Sequence, residues 1–485
     1  MSSDATSLKP HSMQQDPGAE MSTHARELGP EISDCATTLE QLKALKAEHL
    51  LARQKLNMAH DRFIQDMPLN IIIQVFLIDK KNHSSITDTA RPLILASVSR
   101  SWRSVIFSVP QIWATMRMHR SRSYWSFPQG LVEAWLARSG ALPLRIGLSW
   151  VTPLSHDRTL PLQRIGGLLQ LIQKQSHRLE SLQLDVPTAV LTTLTPEDTP
   201  LLRSFHLAVG EVDLDRTNIN YGLLTEIHIK GGLNTLETLE LFRRCPNLAK
   251  CILCVQNLYF EPSPEQLPST PIVLPHLLHL KLELLMEIPE TLVDRISLPR
   301  LRYFHLVMLQ TLFHAPTYAA MIERSGCAVR SFTYENDYMD TDEDISILLK
   351  VIPTVQHLCL KVDNRFSEGP HDLQGPLFGR LVRPIAPSDQ ETETEQAFLP
   401  ALRKLLYWGP LPFSWDQYAS FCEAHSRQRL TSPSLALVRI HITKAQRMID
   451  EDALRRLNAL SQKTQDIIRL TPREFWMPSS LIPVG

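Results

Sequence analysis

The residues with the most chemical capacity in the sequence are one Cys-x-x-Cys pair, Cys251 and Cys254, and three histidines, His206, His228 and His305. A Cys-x-x-Cys pair is half of a structural zinc site, which needs four thiolate or imidazole ligands around the metal. No second Cys pair or His pair stands nearby at zinc-finger spacing. In an extended strand, moreover, two residues three apart point to opposite faces. The pair therefore predicts no metal centre. Each histidine sits between two apolar residues in a strand-like alternation, which predicts outward imidazoles able to titrate or to meet an acidic partner, or simply to be solvated. The sequence holds no Gly-rich phosphate loop, no His-Glu-x-x-His and no Gly-x-Ser-x-Gly, and only 17 Gly in 485 residues. The expectation is a non-enzymatic chain without cofactor or metal, working through its surfaces.

The elements that carry these residues repeat. An apolar-x-x-apolar-x-apolar pattern starts at Leu179, Leu202, Leu224, Leu248, Leu277, Leu301, Val329, Val355, Leu402 and Leu435. Most steps lie within or close to the 20 to 29 residues of leucine-rich repeats. Several units begin after a Pro, as in CPNLAKCIL, LPHLLHLKL and LPRLRYFHL, and helix-like stretches such as YAAMIERSG precede them. Each unit thus reads as turn, strand and helix. The longest step contains a Gly-, Pro- and acid-rich stretch, 363–397, which cannot hold the rhythm and predicts a loop insertion. Beyond residue 442 a charged segment with Leu454, Leu457 and Leu460 predicts a helical cap and tail over 443–485.

Composition narrows the partners. Lys plus Arg total 50 and Asp plus Glu 51, so no net field draws the chain to nucleic acid or to an anionic membrane. The longest apolar run, 69–78, falls short of the ~20 residues of a membrane span. Seven scattered Cys suit reduced thiols in the cytoplasm or nucleus. The polar residues 1–34, without an apolar core of a secretory signal, read as a disordered tail. Residues 35–62 place Leu39, Leu42, Leu45, Leu50 and Leu56 on an amphipathic helix. Packing of that helix onto its own chain is the leading reading, with dimerisation left open.

Between tail and repeats, residues 66–116 read as short helices. Pro68 opens one carrying Ile71, Ile72, Val75 and Phe76, and a second apolar series runs through Val98 and Trp102 to Pro110 and Trp113. Fifty such residues bury little by themselves and need a partner surface. The segments MPLNIIIQVF and LILASVSRSWRSVIFSVPQIWATM resemble the F-box motif in the form common in fungal F-box-like proteins. Met67, Asn70 and Ser99 depart from the usual Leu, Glu and Cys. The repeats resemble irregular leucine-rich repeats without a strict Asn ladder.

Together the resemblances imply an α/β chain. It would have short N-terminal helices with an F-box-like three-helix unit at 66–116, then a leucine-rich-repeat-like solenoid at 117–442 with strands on its concave face and helices outside. They imply a substrate-recognition subunit of a Skp/cullin/F-box-type ubiquitin ligase. Pro68, Ile71, Ile72, Val75, Phe76, Val98 and Trp102 would meet a Skp-type adaptor and, through it, a cullin-RING ligase. The strand alternation adds a target-protein surface at Gln183, His206, His228, Lys281, His305 and Arg439, and Trp113 is expected to pack against the first repeat. A leucine-rich-repeat scaffold without a ligase role is the alternative.

Overall fold

In a computed structural model of the chain, all ten repeat segments are strands, and two further strands precede them. The structure describes residues 17–60, 66–82, 91–120, 128–150, 159–186, 199–208, 214, 219–256, 267–285, 290–309, 313–336, 342–362, 399–409, 415–416, 419–420, 423, 437–442 and 450–461. In chain order the strands are β1 (Thr115–Arg120), β2 (Leu144–Trp150), β3 (Leu179–Asp185), β4 (Ser204–Leu207), β5 (Glu226–Leu233), β6 (Lys250–Gln256), β7 (Ile272–Val273), β8 (His279–Leu285), β9 (Ile296–Ser297), β10 (Tyr303–Leu309), β11 (Ser331–Asn336), β12 (His357–Val362), β13 (Lys404–Gly409) and β14 (Leu437–Ile442). Twelve of them form one sheet in chain order, and β7 pairs with β9 apart from it. Every pairing is parallel. The protein is α/β, and apart from the short β7–β9 pair the strands lie in the sheet in the order in which the chain makes them.

The chain divides between Val109 and Pro110 into two units. This corrects the expected boundary at 116. Proline cannot continue the Arg100–Ser108 helix, so Pro110 starts a new short one, Pro110–Trp113, that leads into β1. Trp113 is 1 % exposed and meets Trp135 edge-on, ring centroids 4.7 Å apart, at the head of the first repeat.

In the sheet unit the repeat has a mechanical explanation. The turn before the strand closes with an N–H to carbonyl bond from Leu202 to Thr199, Leu248 to Cys245, Leu277 to Leu274, Leu301 to Leu298, Val355 to Ile352 and Leu402 to Leu399, at 3.0 to 3.3 Å. In each, Pro follows the accepting residue, where its fixed φ suits the first corner of a β-turn. The next two apolar positions of each repeat then stack in two buried rows. One runs Met116, Ile146, Leu182, Phe205, Ile227, Cys251, Leu280, Phe304, Phe332, Leu358 and Leu405, all at 2 % exposure or less. Helices close this core. Thr235–Arg244 buries Leu239 and Phe242 and begins with a reciprocal cap, Asn234 Oδ1 accepting from the Glu237 N–H and Glu237 Oε2 from the Asn234 N–H, both at 2.8 Å. Ala315–Ser325 buries Tyr318, Met321 and Ile322 and ends at Gly326, whose φ of 59° suits a residue without Cβ.

Two expectations about the ends are corrected and two fall elsewhere. The predicted tail at 1–34 is helical from Pro17 onward, as part of one helix, Pro17–His60. Its leucines Leu39, Leu42, Leu45, Leu50 and Leu56 are all more than half exposed, so among the described residues they are not packed onto the chain. The insertion at 363–397 lies outside the described residues, as does most of 443–485. The described part of the latter is the Glu451–Ser461 helix, which buries Ala453 and Leu457 and whose Arg456 Nε donates to Glu423 Oε1 at 2.7 Å.

Candidate functional site

Strand alternation gives the sheet a second, polar face. In register, consecutive strands place Gln183 beside His206, His206 beside His228, His228 beside Ile252, Ile252 beside Lys281, and Lys281 beside His305. Five of the six expected target-contacting residues therefore form a single row, roughly 24 Å long at ~4.8 Å per strand. Gln183 is exposed, and His206, His228, Lys281 and His305 are half-buried while their strand neighbours are buried. Arg439 continues the same row farther along, its backbone paired with Leu406. Over all twelve strands the face extends ~53 Å.

Residues two positions away on the same strands make flanking rows that the repeat pattern alone does not mark. Glu226 pairs with Lys250 and lies 3.7 Å from His206. Ser204 Oγ donates to Glu226 at 3.2 Å. Glu335 Oε1 accepts from Lys361 Nζ at 2.6 Å and meets His305 Nε2 at 2.9 Å, and Lys361 also stands over the Trp408 ring. The rings of His279 and Tyr303 stack at 4.0 Å. Lys281 pairs along its own strand with Glu283 at 2.6 Å. Ser204, Glu226, His279, Glu283 and Tyr303 lie two positions from a named residue and share its face, whereas Lys250, Glu335 and Lys361 flank Ile252, Thr333 and Cys359 of the same row. Half-exposed pairs of this kind contribute ~0.2–1 kcal/mol each, so the ladder is weak as a stabiliser and well suited to holding donors and acceptors in fixed order.

Electrostatics grades the row. Burial and the neighbouring His206 bring His228 down from its ordinary 6.5 to about 4, with Lys230 and Lys281 acting in the same sense and Glu283 against it. Burial likewise lowers His206, against the pull of Glu226. The His305 hydrogen bond, then Lys361, hold the Glu335 carboxyl down at about 2 despite its burial. Because the unfolded chain takes up a proton at His228 first, folding stability from this group is complete above about pH 6.5 and falls as pH drops toward 4. Glu335 acts only below its unfolded value near 4.5, a separate window. The denaturant midpoint of the full chain is expected to fall between about pH 7.5 and pH 5, and His228→Gln to reduce that difference. An unchanged difference in the variant would remove His228 as its source.

Cys251 is buried and Cys254 half-buried on the other side of β6, and burial pushes both thiols upward. Among the described residues no group of three His, Cys, Asp or Glu is placed to hold a metal ion. No described helix is long and apolar enough to cross a membrane.

The first unit presents a different surface. Its Leu69–Asn82 helix is apolar on two sides: Ile72 and Phe76, four apart, are 1 % and 3 % exposed, while Ile71, Val75 and Ile78 on the other side are 46 %, 39 % and 55 % exposed. Nearby in sequence, Ile94 and Val98 are also half exposed, and Pro68 is exposed. The seven residues expected on one docking surface thus separate. Pro68, Ile71, Val75 and Val98 face outward. Ile72 and Phe76 turn into the unit, and Trp102 is half-buried with its ring 5.0 Å from that of Phe76. The helical period dictates this, since two residues four apart share a face and their neighbours cannot. Ser99, one of the departures from the motif, acts locally. Its side chain accepts from the Trp102 N–H at 3.1 Å and caps the Arg100–Ser108 helix. Arg103 Nε donates to the Ala96 carbonyl at 3.0 Å, which uses one of the cations in this aromatic segment to close the preceding helix. No protein-family model matches the chain, and no curated protein is similar to it in sequence.

Proposed function

We propose that the chain is the substrate-recognition subunit of a Skp/cullin/F-box-type ubiquitin ligase. In this reading the first unit is an F-box-like dock for a Skp-type adaptor, and the sheet unit is a leucine-rich-repeat-like array that holds a target protein. The observation that carries the reading is the second apolar side of the Leu69–Asn82 helix, Ile71, Val75 and Ile78, left in water by the unit whose sequence resembles an F-box. An apolar patch on so small a helical unit is what an obligate partner would cover. The chain contributes no catalytic group in this role, acts in the cytoplasm or nucleus, and needs no cofactor.

The full chain is expected to bring down adaptor and cullin together from cells. Recovery of neither supports the scaffold reading instead. Target contact is assigned to the polar row, because a sheet face of this length offers an area near the ~800 Å² per partner of specific complexes. Lys281→Glu together with His305→Glu should reduce target recovery at least ~10-fold, the cost of placing like charge in an interface, while adaptor recovery is unchanged. Deletion of 363–397 is the companion variant: if it abolishes target recovery and the charge reversals do nothing, the assignment to the sheet face is wrong.

A further inference from the structure

We infer that the Pro17–His60 helix pairs antiparallel with the same helix of a second copy of the chain. The helix has 44 residues and is ~66 Å long at 1.5 Å per residue. Leu39, Leu42, Leu45, Leu50 and Leu56 are 54 %, 59 %, 64 %, 54 % and 58 % exposed. At 100° per residue they fall within an arc of about 140°, which they share with Lys46, His49 and Arg53, while Leu51, also 54 % exposed, lies on the other side. Five leucines in water on one side of the helix, interleaved with the aliphatic stems of Lys46 and Arg53, leave apolar area that a partner helix can cover.

Charge identifies the occupant. Up to residue 40 the helix sequence carries Glu20, Glu27, Glu31, Asp34 and Glu40 against the single Arg26. From residue 41 it carries Lys43, Lys46, Arg53 and Lys55 against the single Glu48. The helix is therefore acidic in its first half and basic in its second, although the whole chain is close to neutral. A parallel pair of copies would set acid on acid and base on base. An antiparallel pair sets each acidic half along a basic one, which lowers the energy of one orientation and raises that of the other. A two-fold axis at Leu42 places Leu39 of one copy level with Leu45 of the other. It also places Asp34 level with Leu50, within one turn of Arg53. In this register Leu39, Leu42 and Leu45 of the two copies meet one another, and Glu31 lies level with Arg53.

Cys35, which is exposed, provides the orientation probe. In the antiparallel pair the two Cys35 residues lie ~21 Å apart along the axis, beyond disulfide reach, while His49 of one copy lies opposite Cys35 of the other. Within one copy those two positions are equally far apart, so any link between them joins two chains. Sedimentation of the full chain over a range of concentrations is expected to show a dimer that weakens as salt is raised. Leu39→Glu, Leu42→Glu and Leu45→Glu combined should weaken self-association on the order of 100-fold or more, with helical content retained because these side chains are more than half exposed among the described residues. Mild oxidation of the His49→Cys variant should link the new thiol to Cys35 of the second copy, mapped by peptide mass. A chain that stays monomeric, a dimer indifferent to the leucine substitutions, or a Cys35 to Cys35 disulfide in the unsubstituted protein would each overturn the inference. None of these outcomes depends on adaptor binding, so this inference and the proposed function stand or fall separately.

Discussion

Replacing Ile71 and Val75 together by Glu is expected to abolish recovery of adaptor and cullin with the full chain. Both side chains are already in water, 46 % and 39 % exposed, so the substitution removes nothing from the unit's own core. Burying each against a partner contributes ~1.5 kcal/mol or more, and losing two such contacts weakens binding roughly 100-fold or more even before the cost of placing carboxylates in an apolar interface. The control is Phe76→Ala. Phe76 is buried against Trp102, and its truncation should destabilise the unit itself by ~3–5 kcal/mol. Circular dichroism separates the two: the double Glu variant keeps its helical signal and loses adaptor, whereas Phe76→Ala loses helix as well. Undiminished adaptor recovery with Glu at both positions would show that this side of the helix is not the dock.

The largest loss of stability from a single polar residue is expected at Arg178. This side chain, 6 % exposed, donates from Nη1 to Ser139 Oγ at 2.9 Å and to the Gly140 carbonyl at 2.6 Å, from Nη2 to the Leu136 carbonyl at 3.1 Å, and from Nε to Gln175 Oε1 at 2.7 Å. Leu136 lies in the last turn of the Gln129–Arg138 helix, and Arg178 stands in the turn just before β3. One guanidinium, together with the Ser139 hydroxyl that also donates to the Leu136 carbonyl, thus satisfies the acceptors at a helix end and ties that helix to the third strand. Arg178→Met keeps much of the volume and removes all the donors, so the Gly140 carbonyl and the Ser139 hydroxyl oxygen lose theirs at ~1–3 kcal/mol each, while the Leu136 carbonyl keeps the Ser139 O–H at 2.6 Å. The total loss should therefore be ~3 kcal/mol or more. Denaturant unfolding reads the total, and amide exchange in β2 and β3 should rise most. Exchange that rises equally in β12 and β13 would mean the effect is not confined to this clamp.

How much of this was legible in the sequence depends on which residue filled each repeat position. The ten segments beginning with Leu or Val were readable because their apolar spacing and preceding turns repeat together. β1 escaped because its repeat reads Trp113, Met116, Met118, and β2 because Pro143 stands where the leading apolar residue belongs. Burial shows these positions to be equivalent to the others: Trp113 and Met116 are 1 % exposed, Ile146 and Leu148 2 %. For the histidines, alternation alone was enough to place them outward. It could not reveal that Glu226, Lys250, Glu335 and Lys361 would bind them into a ladder, because those contacts join residues 20 to 30 apart whose register is set by the turns between them. In the first unit the expectation put seven residues on one surface, and the structure separates them. Only the helical phase, fixed by which side meets Trp102, separates Ile72 and Phe76 from Ile71 and Val75.

The ordering of the large sheet, whose strands follow one another in the order of the sequence, gives this unit the arithmetic of a row of dominoes. Free energy is then a sum of local terms and adjacent couplings, so a lesion in one repeat is felt fully by two others and faintly by the rest. Contacts stay short in sequence separation, and assembly can begin at any well-formed pair and spread in both directions. A whole repeat can accordingly be gained or lost without changing the partner of any strand beyond the junction. The length of the face is thereby an evolvable quantity in its own right.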